Sequence, residues 1–138
     1  MNMIEMSVMV SVRPTENPET VAKAVENLFP GIDIEIREDG VEGRGDLESL
    51  RTFHRLLREQ RILDTARSVL LQGRIGDTIQ FKLNKQAATA GKVNFPPEEE
   101  PLGSIHIQIR CTETLIDWLA PQTFEGKPIE EIELEDYV

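Results

Sequence analysis

Four stretches of this chain alternate apolar and polar residues with a period of two, and that pattern constrains the fold more than any other feature. In MSVMVSVR, Met6, Val8, Val10 and Val12 share one side; Ile32, Ile34 and Ile36 alternate with Asp33, Glu35 and Arg37. TIQFKLN puts Ile79, Phe81 and Leu83 opposite Gln80, Lys82 and Asn84, and SIHIQIRC sets its isoleucines opposite Ser104, His106, Gln108 and Arg110. A period of two marks a strand with one buried and one wet face. Several such strands build a largely antiparallel sheet covered on one side. Asp39-Gly40 supplies a hairpin turn toward a short further strand at Val41.

Helical spacing supplies the cover. Val21, Ala24, Val25 and Leu28 recur after Asn17-Pro18, an N-cap followed by a first-turn proline. Asp46 caps a second run with Leu47, Leu50, Phe53 and Leu57 as its stripe; ILDTARSVLLQ continues as a helix to Gly73. Thr112 or Thr114 caps a last short helix through Trp118, ended by Pro121. The predicted fold class is α+β, a two-layer sandwich with a curved antiparallel sheet and helices on one face. Residues 1–121 form its single domain, and 122–138, with six acids against one lysine, form an irregular acidic tail.

Chemistry is sparse. A P-loop needs a glycine where Gln86 stands and a hydroxyl where Val93 follows Gly91-Lys92. One cysteine and two histidines at unrelated positions argue against a metal site, and no cofactor is implied. Cys111 shares the isoleucine side of its strand and reads as core filler. His54 lies near an apolar stripe and reads as a packed histidine; His106 faces outward and stays open. Glu98, Glu99 and Glu100 between prolines read as a solvated charge run. No window is long and apolar enough for a membrane span, and the acidic start is unlike a signal peptide, so a cytoplasmic protein is expected.

The net charge of −10 conceals an uneven distribution. Residues 44–92 carry ten basic and five acidic side chains, whereas the segments before and after carry three against nine and two against eleven. Seven of those ten are arginines, the residue best shaped for phosphate. Two readings stand. Either the helix face of Arg51, Arg55 and Arg58 is simply solvated, with Glu59 and Asp64 as local partners, or Arg51, Arg55, Arg58, Arg61 and Arg67 join Lys82, Lys85 and Lys92 in an electrostatic strip for a polyanion. Asn84, Gln86 and Asn94 would then add neutral hydrogen bonds to RNA. With no aromatic on the polar sheet face, backbone and shape contacts fit better than base stacking.

The runs RPTENPETVAKAVENLFPG, REQRILDTARSVLLQG, FKLNKQAATAGKVNF and LIDWLAPQTFEG together resemble a family of small archaeal proteins of the UPF type, described as predicted RNA-binding or exosome-associated. The resemblance runs from about Met6 to Gly126 and implies a fold like that of large-subunit ribosomal protein number five. The matching positions are Arg13, Pro14, Thr15 and Glu16, then Arg61, Asp64 and Arg67, then Asn84, Lys85, Gln86 and Asn94. The expected function is a non-catalytic module for structured RNA. The alternatives are a homodimer or multiprotein RNA-processing subunit that meets an acidic surface, and a small-anion binder or enzyme using Lys85, Lys92 and His106.

Overall fold

In a computed structural model, residues 4–96, 103–110 and 114–133 are described. Cys111, Thr112 and Glu98 to Glu100 lie outside these segments. The chain runs β1 (Glu5–Ser11), α1 (Pro18–Leu28), β2 (Asp33–Ile36), β3 (Gly40–Gly45), a 3-10 turn (Glu48–Leu50), α2 (Arg51–Glu59), α3 (Leu63–Gln72), β4 (Arg74–Ile75), β5 (Thr78–Asn84), α4 (Lys85–Thr89), β6 (Ser104–Arg110), α5 (Thr114–Leu119), β7 (Thr123–Phe124) and β8 (Lys127–Pro128). Six strands form one antiparallel sheet in the order β2-β3-β1-β6-β5-β4. The α+β sandwich expected from the alternation is the observed architecture.

Asn17 caps α1 as predicted, its side chain accepting from the Glu19 N–H, and Val21, Ala22, Ala24, Val25 and Leu28 turn into the core. Leu47, Leu50, Phe53 and Leu57 are all buried. Each such side chain contributes about 1.5–3 kcal/mol on leaving water, so this face holds α2 against the sheet. Phe53 sits between Phe29 and Phe81, at ring separations of 5.6 and 5.7 Å, linking α1, α2 and β5.

Three expectations change. Ile36 is 47% exposed because β2 is the outermost strand, while the strand read as short at Val41 extends over six residues and separates β2 from β1. Ser104, read as outward, is buried where β6 begins beside Asn84. Part of the stretch read as an irregular tail is ordered: β7 and β8 form a small hairpin, the Thr123 hydroxyl donates to the Asp64 carboxylate, and Glu131 reaches Arg58.

Candidate nucleic-acid interface

Among the described residues, the helices cover one face of the sheet and leave the other open. Strand register orders the open face into rows that cross the sheet. One row runs Lys82, His106, Met9, Glu42 and Glu35; the next runs Gln80, Gln108, Ser7, Arg44 and Asp33; a third holds Thr78, Arg110 and Glu5. Between them lies a concavity of about 1030 Å³, lined by Ser7, Met9, Ser11, Gln80, Lys82, His106 and Gln108, with Arg37, Asp39 and Glu42 on one side and Phe95-Pro96 on the other. Charge divides across it. The β2 and β3 side carries Asp33, Glu35 and Glu42 together with Arg44, and Arg37 lies 3.4 Å from both glutamates; on β1, Glu5 stands opposite Arg110. The β5 and β6 strands bring Lys82, His106, Arg110 and two glutamines to this face and no carboxylate. The alternation in TIQFKLN and SIHIQIRC places these residues on the wet face, apart from the helix-borne arginines. Arg44 and Glu42 were harder to see, because the glycines of β3 interrupt the pattern.

The arginine strip does not join this face. It lies in the helix layer, and much of it is committed to local partners. Arg58 places all of its guanidinium nitrogens: Nε and Nη2 donate to the two carboxylate oxygens of Glu131, Nη1 to the His54 and Leu119 carbonyls at 2.8 and 3.0 Å, and Nη2 to the Trp118 carbonyl at 3.1 Å. Arg67 donates from Nη1 to Asp117 at 2.9 Å and to the Ala120 carbonyl at 3.0 Å. Together they satisfy the carbonyls at the C-terminal end of α5, which have no acceptor role left inside that helix. Arg55 pairs with Glu59 at 2.7 Å and Arg51 with Glu48 at 2.9 Å. Arg61 is exposed with φ of 57°, in the left-handed position that ends α2; the Ile62 N–H returns to the Leu57 carbonyl behind it.

The polar run after Lys82 also changes meaning. Asn84-Lys85-Gln86 does not form a contact loop: it opens α4, because the Asn84 carboxamide oxygen accepts from the Ala87 N–H and caps the helix. Gly91, at φ 73°, closes it, with the Gly91 and Lys92 N–H groups returning to the Ala88 and Ala87 carbonyls. The small Ala88 is buried in the hydrophobic core, and the Asn27 carboxamide of α1 donates to the Ala88 and Thr89 carbonyls. Lys85 is only 7% exposed; its ammonium donates to the Ser11 carbonyl at 2.6 Å and to Glu16 at 3.1 Å. It is therefore corrected from a surface contact to a buried tie between the end of β1 and the start of α4, since no phosphate can reach a side chain so enclosed. Gln86, Lys92 and Asn94 remain exposed, while the Asn94 carbonyl accepts from the Asn84 N–H. Gln60, absent from the sequence reading, locks the next segment through both amide atoms, each 2.8 Å from Val93 backbone.

Two clusters are electrostatically tuned, and neither belongs to the open face. Burial pushes the Glu16 carboxyl up, but the Arg13 N–H and the Lys85 ammonium outweigh it and hold Glu16 below the usual carboxylate range. His54, packed against Trp118 with the rings tilted by 31° and 4.4 Å apart, is lowered to about 4 by burial and then by the Arg58 charge. Hydrogen bonds from Arg58 lower Glu131. Among the described residues no group of His, Cys, Asp and Glu is placed to hold a metal ion, and no helix is long and apolar enough to cross a membrane.

Residues 5–111 match a family model described as RNA binding. A UPF0200/UPF0201 protein of Archaeoglobus fulgidus is 42% identical over 134 residues, covering 94% of this chain, which spans only 41% of that protein's length. A UPF0201 protein of Sulfurisphaera tokodaii is 42% identical over 136 residues, covering 92% of this chain and 94% of its own. The crystal structure of the UPF0201 protein from Methanococcus jannaschii superposes with a TM-score of 0.80 at 36% identity, covering 91% of this chain and 99% of that one.

Proposed function

The chain belongs to the UPF0201 family, and on that premise we propose that it is a non-catalytic module that holds structured RNA by backbone and shape contacts on the open face of its sheet. The observation that carries this reading is the β5 and β6 half of that face, where Lys82, His106, Arg110, Gln80 and Gln108 stand together without a carboxylate on either strand. A concave, hydrogen-bonding wall with cations suits a convex sugar-phosphate backbone; Phe95 stands at its side rather than on the strands, and the outward residues of β5 and β6 include no Phe, Tyr or Trp for bases to stack on. The likeness to ribosomal protein number five forms part of the same reading. Gln86, Lys92 and Asn94 are exposed but do not line the concavity. Arg58, Arg67 and Lys85 serve the fold instead.

The test is fluorescence anisotropy of a labelled RNA hairpin across a salt series. Lys82→Ala and Arg110→Ala should each weaken binding and reduce the log-log salt slope by about 1, whereas Arg55→Ala on the helix layer should leave it unchanged. Undetectable binding by the unaltered protein at about 50 mM salt refutes the proposal.

One observation favours a second reading, a homodimer or a subunit of an RNA-processing assembly. The open face has an acidic side and a cationic side, so two such faces are complementary in charge after a half-turn. Sedimentation at low and high salt distinguishes it; a monomer under both conditions removes the homodimer.

A further inference from the structure

Gln80 and Gln108 face each other across β5 and β6 in the middle of the concave wall. Both are exposed, and the Gln80 amide nitrogen lies 3.4 Å from the Gln108 oxygen. That long contact uses one donor and one acceptor site, leaving the pair both N–H donors and carbonyl acceptor sites for a ligand. The row they form lies two residues along the strands from Lys82 and His106, a separation of about 6.7 Å. A phosphate held by Lys82 therefore brings a neighbouring ribose over the two amides. The group that RNA presents there and DNA lacks is the 2′-hydroxyl, which both donates and accepts. An amide pair can answer both roles, whereas a guanidinium can only donate and a carboxylate can only accept.

We propose that the Gln80 and Gln108 pair holds a ribose 2′-hydroxyl and is what makes this surface prefer RNA to DNA. This inference rests on the RNA-binding reading and adds the residues that set its sugar specificity.

The experiment measures affinities for an RNA hairpin and a DNA hairpin of matched sequence, with the full chain and with the double substitution Gln80→Ala, Gln108→Ala. Melting curves report whether the variant stays folded, and Lys82→Ala is the control. The unaltered protein should prefer RNA by about five- to tenfold, the size of one or two neutral hydrogen bonds. The double variant should lose that preference by weakening RNA alone, at an unchanged salt slope. Lys82→Ala should weaken RNA and DNA by the same factor. Equal affinity of the unaltered protein for both hairpins, or a preference that survives the double substitution, overturns the sugar reading and leaves RNA binding standing. Failure to bind either hairpin overturns both.

Discussion

Lys85→Met separates a contact lysine from a structural one. Lys85 is 7% exposed and holds Glu16 at 3.1 Å and the Ser11 carbonyl at 2.6 Å. Removing one partner of a buried ion pair costs roughly 3–5 kcal/mol, because the other charge is left without its counter-ion. The Glu16 side chain is 23% exposed and can recover some hydration, and methionine fills the space of the lysine stem, so the low end of that range, roughly 3 kcal/mol, is expected. For a chain of 138 residues this lowers the melting temperature by roughly 10 °C. The acid limb should change as well. Glu16 is held below its ordinary 4.5, so its contribution to stability is present above pH 4.5 and is lost as pH falls through the folded value. Without Lys85 that loss should shrink or reverse, since burial alone raises a carboxyl. Urea titrations at neutral and acid pH measure both effects, and anisotropy with hairpin RNA should show affinity changed little. An unchanged urea midpoint together with a large loss of RNA affinity would refute the reasoning and return Lys85 to the surface.

Three further substitutions test how the arginines and His54 are used. Arg58→Ala removes the donors to Glu131 and to the carbonyls that end α5, and should cost about 2–4 kcal/mol in urea denaturation while leaving RNA affinity intact. Arg61→Gly relieves the left-handed backbone at φ 57° and should raise stability by about 0.5–1 kcal/mol; a loss would show that its side chain makes a contact worth more than the strain. The His54 value of about 4, against an ordinary 6.5, means that the unfolded chain takes up a proton first, so stability is full above pH 6.5 and declines as pH falls toward 4. His54→Gln should flatten that decline in melting temperature between pH 6.5 and 4.5, a window that lies above the Glu16 effect.

Local pattern carried much of this architecture. Alternation in four strands, the Asn17 cap and the stripe through Leu50, Phe53 and Leu57 specify which side of each element is buried, because burial of an apolar face follows directly from spacing along the chain. The same alternation named Gln80, Lys82, His106, Gln108 and Arg110 as one wet face. It could not tell which basic residues are spent on the fold. Arg58 meets Glu131 and the end of α5, Arg67 meets Asp117, and Lys85 meets Glu16, partners separated by 73, 50 and 69 positions. Charge counting sees every one of these side chains as available for a polyanion.

The stretch from Asn84 to Gly91 shows both limits at once. Its cap, small residues and terminal glycine were present to be read as a short helix, but five helical residues are too few to show a periodic stripe. Sequence alone therefore determined the layers and, for β1, β5 and β6, the buried face and the wet face opposite. Only the tertiary structure decided that the helix-layer arginines and the sheet-face cations lie apart, because side-chain spacing within an element fixes its own faces, while ion pairs between distant segments are set by how the layers pack.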